Sequence, residues 1–344
     1  MQKTKKTKKV ESVTLDDFVT LGSILDEEVD FISVGCLPAD LAMGGGFARK
    51  RMAQVYGPES SFKTGLVLSA ASQFQIKFEN GYVVYDDAEG SLHAKWGSKA
   101  FRLDNDRTIM LRVEDGRASS TVEEFVESVN KHAVWALANQ APLLYILDSF
   151  DPLGTMRTKA EVGESLDVKE SMKDTLDVAH IIRQKIRKII QLLITTDTTL
   201  LIVSHATMKI GVMFGDKLDT TGGTAIKFYS SQRPRLSQAG KIENKQGRFI
   251  GVNLKLFMKK NKVARPFRSA TFPFYFESGI DDMEACVDFL RENSKEVGTG
   301  KSWLCPGTEN SFNSRDELVD FIYENELIPE IHQSVLDIWE TGGF

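Results

Sequence analysis

Residues 57–64 read Gly57-Pro58-Glu59-Ser60-Ser61-Phe62-Lys63-Thr64, with Gly65 next. The apolar run Met52-Ala53-Gln54-Val55-Tyr56 precedes this stretch, and Leu66, Ala70, Phe74 and Phe78 recur every four residues after it. That spacing predicts a strand, a phosphate-binding loop and a helix. A helix start offers backbone N–H groups with no intrahelical partner and the positive end of the helix dipole, and both suit a phosphate. Residues 57–65 would cradle the phosphates, Lys63 would reach the outermost of them, and the Thr64 hydroxyl would hold Mg²⁺. Phe62 departs from the motif. It stands where Gly is usual, so a bulky residue must take positive φ, and its ring is expected beside the phosphate path.

The runs Tyr82–Tyr85, Leu143–Leu147 and Leu200–Val203 are nearly all apolar, which marks strands covered on both faces in a parallel sheet. Helical patterns at 121–138 and 171–195 alternate with them, giving an α/β fold with a mostly parallel central sheet flanked by helices. Ligands of such sheets gather beyond the carboxyl ends of the strands. At those ends stand Asp86-Asp87-Ala88-Glu89, Asp148-Ser149 and Ser204-His205. Asp148 is placed to support the metal through water, Glu89 to orient a water that attacks the γ-phosphate, and His205 to report which nucleotide is bound. Each also has a plainer reading as a strand-end residue capping the next helix.

Charge is unevenly spread. The net charge is −5 over 344 residues, but residues 277–344 hold 16 Asp and Glu against four Lys and Arg, so the remainder is net basic. Between 255 and 268, Lys255, Lys259, Lys260, Lys262, Arg265 and Arg268 occur without an acid, a density that attracts phosphates or simply stays solvated. On the 171–195 helix, Val178, Ile181, Ile182, Ile186, Ile189 and Leu193 form an apolar stripe. His180, Arg183 and Arg187 lie on another side, suited to a nucleic-acid backbone or to solvent. Five lysines in the first nine residues are not followed by an apolar segment, and no apolar run is long enough to cross a bilayer, so a cytoplasmic chain without membrane contact is expected. Cys36, Cys286 and Cys305 and the five histidines are scattered without metal-ligand spacing.

From Ser204 the chain continues Ser-His-Ala-Thr-Met-Lys-Ile-Gly-Val-Met-Phe-Gly-Asp, and from Thr220 it reads Thr-Thr-Gly-Gly-Thr-Ala-Ile-Lys-Phe-Tyr-Ser-Ser. These runs closely resemble the bacterial RecA recombinases, as do Ile32-Ser33-Val34-Gly35, Tyr56–Ser61 and Lys260-Asn261-Lys262-Val263-Ala264-Arg265-Pro266-Phe267. The likeness covers about residues 31–280, and Met208–Gly215 is far more specific than the phosphate loop. It implies a DNA-dependent ATPase that uses ATP and Mg²⁺. Such an enzyme self-assembles into helical filaments on single-stranded DNA and pairs that strand with homologous duplex DNA, with a single-strand-binding protein and a loader as further partners.

The resemblance also implies roles for particular residues. Lys63 and Thr64 would bind phosphate and metal, Glu89 would activate water, Asp148 would support the metal, and His205 would sense the γ-phosphate. Trp96 would stack on adenine. Lys260 and Lys262 would reach a neighbouring subunit's ATP, and Phe228 would link a DNA loop to the interface. DNA would meet two loops, 158–175 and 206–221, with Met208, Lys209, Ile210, Gly211, Gly222 and Gly223 in the second. Phe62, and His205 in place of the family's usual Gln, look similar to the T-even phage branch and suggest a phage-encoded enzyme. The expected organisation is a basic N-terminal oligomerisation segment (1–30), the ATPase and DNA-binding core (31–280) and a small acidic α+β domain (285–344). The acidity of that last part is expected to hold duplex DNA off. A RecA-like ring helicase, and a DNA-coating filament protein that scarcely hydrolyses ATP, are the competing functions.

Overall fold

A computed structural model describes residues 28–154, 171–208, 218–220, 223–294, 297–300 and 302–342; the side chains of 171–182, 207–208, 219 and 223–224 are not described. In chain order the elements are β1 (Phe31–Ile32), α1 (Leu37–Met43), β2 (Phe47–Ala48), β3 (Met52–Gly57), α2 (Lys63–Lys77), β4 (Tyr82–Asp87), α3 (Ala94–Phe101), β5 (Thr108–Arg112), α4 (Val122–Ala138), β6 (Leu143–Asp148), α5 (Ser171–Thr195), β7 (Thr198–Met208) and β8 (Leu218–Thr220). They continue with α6 (Gly223–Tyr229), β9 (Gln232–Glu243), β10 (Phe249–Asn261), β11 (Ser269–Tyr275), β12 (Gly279–Ile280), α7 (Asp282–Asn293), β13 (Trp303–Leu304), β14 (Ser311–Phe312), α8 (Arg315–Glu324) and α9 (Ile328–Thr341).

The central sheet runs β12-β11-β10-β9-β3-β7-β6-β4-β5, with β8 paired to β7. Strands β3 to β7 pair in parallel and β9 runs parallel to β3, whereas β9 to β12 form an antiparallel meander. This is the expected α/β architecture. The apolar runs at 82–85, 143–147 and 200–203 lie in β4, β6 and β7, in the parallel half. Every residue of β3 and β6 is buried, which follows from helices on both faces. α2 packs on one face, where Leu66, Ala70 and Phe74 join Val55, Ile146 and Val203 in one core. α4 and α5 pack on the other, where Phe125, Val129, Ile186 and Leu193 join Tyr145, Leu147 and Ile202. Thr121 and Glu124 form a reciprocal capping box that starts α4, satisfying N–H groups that a helix start would otherwise leave unpaired.

The C-terminal helices enclose their own apolar cluster, including Val287, Leu290, Leu318, Ile322, Ile331 and Val335. α7 begins at Asp282, so the break expected between 280 and 285 falls on its first turn. This helix faces two ways: Ala285 packs into the core of the central sheet, while Leu37 and Leu41 of α1 pack on the C-terminal cluster. Asp282 clips the junction, because Oδ1 accepts from Leu37 N–H at 2.6 Å and Oδ2 meets His332 Nε2 of α9 at 2.7 Å. The Cys286 thiol points at the same carboxylate from 3.7 Å.

Candidate active site

β3 ends at Gly57, where the chain passes so close to β9 that a Cβ would lie 2.3 Å from Leu236 O. Glycine is required there by the neighbouring backbone, and the loop that follows turns directly into α2. Phe62, the N-cap of α2, has φ +57° and no side-chain acceptor. Its ring stacks on Phe276 at 5.6 Å and tilts against Phe274 at 5.0 Å. Packing in this aromatic cluster fixes the ring where it lines the cleft next to Lys63 and Thr64. The same cluster makes Gly65 obligatory, because a Cβ there would approach Phe274 Cε2 to 2.7 Å.

Lys63 is buried, and its ammonium is held over the loop by Pro58 O at 2.9 Å and Gly57 O at 3.3 Å. Burial lowers its pKa, and the carboxylates of Asp148, Asp151, Glu89 and Glu59 oppose that shift. Thr64 Oγ1 donates to Asp148 Oδ2 at 2.6 Å, and Tyr85 OH donates to the same oxygen at 2.6 Å. Burial raises the Asp148 pKa against those two hydrogen bonds. A hydroxyl and a carboxylate converging in this way form a hard-oxygen pair suited to Mg²⁺, which uses few protein ligands and keeps several waters.

Glu89 enters from the turn after β4. Asp87 shapes that turn by accepting the N–H groups of Ser91 and Leu92, both at 3.2 Å. Asp86, one residue earlier, points to the opposite face and binds Ser119 and Tyr145. Only Glu89 of this acidic run therefore lines the cleft, with Lys63, Thr64, Trp96, Asp148 and His205. His205 Nε2 lies 3.5 Å from Glu89 Oε2, and His205 N–H donates to Asp151 Oδ2 at 2.8 Å. Trp96 is pinned by its indole N–H to Phe276 O at 3.0 Å and meets Phe101 edge-on.

Lys260 and Lys262 are held by a different element. Lys260 Nζ donates to the carbonyls of Lys227 and Phe228 at 2.7 and 2.8 Å, and Lys262 Nζ lies 5.7 Å from the centre of the Phe228 ring. Phe228 itself is 66% exposed. Arg183 and Arg187 are exposed on α5, opposite buried Ile186, Ile189 and Leu193. Met208 is the last residue of β7 and Gly223 the first of α6, whereas Lys209, Ile210, Gly211 and Gly222 lie outside the described residues. So does most of the first expected DNA loop.

Tyr85 and Asp151 take part in this constellation without having been singled out in the sequence, and Gln54 lies behind it, outside the cleft. Asp151 carried a faint signal as a second acid three residues past Asp148. Tyr85 looked like one more large residue in a buried strand, and Gln54 like a polar interruption in another.

Residues 6–281 match the family model described as the RecA N-terminal domain. The chain is 31% identical over 325 residues to the Protein RecA of Crocosphaera subtropica, covering 94% of this chain and 86% of that protein. It is 30% identical to the Protein RecA of Leptospira meyeri, over 90% of this chain and 75% of the relative, and 30% identical to that of Arthrospira platensis, over 91% and 80%.

Proposed function

The chain belongs to the RecA family of recombinase ATPases, and we propose that it hydrolyses ATP in the cleft between Lys63 and His205, as a filament on single-stranded DNA that pairs with homologous duplex. The observation that carries this reading is the convergence of Lys63, Thr64, Glu89, Asp148 and His205, from four separate elements or turns, on one cleft.

The loop backbone and Lys63 would receive the β- and γ-phosphates, exchanging the present carbonyl contacts of Lys63 for phosphate oxygens. Thr64 and Asp148 would hold Mg²⁺, which when bound would neutralise phosphate charge. Deprotonated Asp148 is the form that serves this role, and a nearby cation favours it over the burial that raises its pKa. Glu89, partly exposed at the cleft mouth, would accept a hydrogen bond from the attacking water. His205, 3.5 Å from that carboxylate, would meet the γ-phosphate and report its loss to the backbone that Asp151 holds. Trp96, its ring fixed by Phe276, would offer a face to the adenine. Lys260 and Lys262 would serve the cleft of a second copy, and Phe228, exposed beside them, would lie at that contact. Arg183, Arg187 and the 206–223 region would meet DNA phosphates. Phe62 and His205 support placement in a phage branch.

The deciding measurement is ATP hydrolysis with and without single-stranded DNA, for the natural chain and Glu89→Gln. The natural chain should be stimulated, and Glu89→Gln should lose about 10²–10⁴-fold in rate, the range for a positioned general base, while still binding DNA. A natural chain that DNA leaves unstimulated would defeat the proposal in favour of a coating protein.

A further inference from the structure

Gln54 is fully buried in β3, three residues before the phosphate loop. Its Oε1 accepts from Arg233 Nε at 2.8 Å, and its Nε2 donates to Ser204 Oγ at 3.0 Å and Thr220 Oγ1 at 3.3 Å. Arginine has no acceptor, so the Arg233 contact alone settles which way the amide faces. Both amide hydrogens are thereby directed to hydroxyls on two different strands. Ser204 lies in β7 and directly precedes His205. Thr220 ends β8 and pairs with Ala206, so both stand within 206–221, the stretch that the family resemblance assigns to DNA. Arg233 also extends the joint: its guanidinium lies 4.6 Å from the ring centre of Tyr56, next to Gly57, and it is paired across β9 and β10 with Lys260.

We propose that Gln54 is a positioning residue that couples the nucleotide sensor at His205 to the β7–β8 pair, on the side that the family resemblance assigns to DNA. A buried amide that loses one of these partners leaves a donor or acceptor unpaired at substantial cost. Displacing Thr220 therefore presses on Ser204, and movement beside His205 presses on Thr220. The side chain does not reach into the cleft, so its removal leaves Lys63, Thr64, Glu89 and Asp148 in place. The inference rests on the ATPase reading given above.

The experiment compares the natural chain with Gln54→Leu, Gln54→Glu and Thr220→Val, measuring hydrolysis over a range of ATP with and without single-stranded DNA. Gln54→Leu should keep the DNA-free rate and ATP KM within about twofold while its stimulation by DNA falls about tenfold, an ordinary coupling factor. Gln54→Glu should restore most of that stimulation, because both hydroxyls can reverse and donate to the carboxylate and Arg233 can still donate. Thr220→Val, which removes one buried hydroxyl at nearly constant volume, should reproduce the loss with single-stranded-DNA affinity unchanged, and it carries the test should Gln54→Leu not fold. Full stimulation in Gln54→Leu and Thr220→Val, or an equal fall in the DNA-free and DNA-stimulated rates, would overturn the coupling role. A natural chain without any stimulation would instead overturn the ATPase reading, and the coupling with it.

Discussion

Lys260 has a pKa pushed down to about 8, chiefly by burial and then by the neighbouring charges of Lys262 and Arg233. A lysine lowered in this way is charged below that value and loses its proton as pH rises through it. If the charge serves a phosphate, DNA-stimulated hydrolysis by the natural chain should fall between about pH 8 and 9. Lys260→Arg should flatten that fall, because a guanidinium keeps its proton beyond about pH 12. A pH–rate profile of the two proteins checks this, and parallel profiles would count against the role. The cleft residues Glu89 and His205 offer a contrast. Both follow an apolar run closely in sequence, so their place could be read from it, although β7 continues past His205 to Met208. What Lys260 touches, the carbonyls of 227 and 228, lies some 30 residues away and leaves no local trace.

At the scale of elements, the strands were legible because burial on both faces demands apolar runs, but their ends were less so: β6 stops at Asp148, whereas β4 continues through Asp86 and Asp87 and β7 through Ser204 and His205 to Met208. The course of the phosphate loop was legible too, since Gly57, Lys63 and Thr64 fall within one continuous short stretch, 57–64. Cross-strand partners were not. Tyr85 and Asp148 are 63 residues apart, and Gln54 and Thr220 are 166 apart. What holds the Phe62 ring beside the phosphate path was not legible for the same reason: Phe274 and Phe276, which pack on it, come from β11 and the turn beyond. Two effects therefore oppose each other in Phe62→Gly. Relief of positive φ favours glycine by roughly 1–2 kcal/mol. Loss of a half-buried ring costs more, about 3 kcal/mol at the lower end of the range for core phenylalanines. The expected outcome is a protein less stable by about 1–2 kcal/mol, read as a lower urea midpoint, with hydrolysis retained. A more stable variant would show that backbone strain outweighs the aromatic packing.

For the whole molecule, the acidic C-terminal part is the natural candidate for holding duplex DNA away. Cutting the chain at 285 would sever α7 and strip the cover from Leu37 and Leu41, so charge neutralisation is the cleaner test. Asp320→Asn, Glu324→Gln and Glu340→Gln together alter exposed side chains of α8 and α9. They should tighten duplex binding several-fold at low ionic strength, and the gain should fade as the Debye length shrinks to about 8 Å near 0.15 M salt. Equal binding at low salt would remove the acidic-face idea. The His332–Asp282 clip gives this region a second sensitivity. The hydrogen bond to Asp282 raises the His332 pKa, so the contribution of the pair is fully present below the ordinary histidine pKa and is lost as pH rises through the raised value. Proteolysis of the C-terminal helices should accordingly quicken from pH 6 to 8, and His332→Gln should be insensitive over that range.

The anchoring of Lys260 and Lys262 on α6, while the cleft is walled by other elements, has a kinetic corollary. In the proposed filament, a site that borrows its cations from a second copy would be a bimolecular catalyst. In dilute solution, turnover per chain would climb with protein concentration instead of staying constant. Mixing chains that lack Lys260 with chains that lack Glu89 would regenerate active sites at the junctions where each supplies what the other has lost.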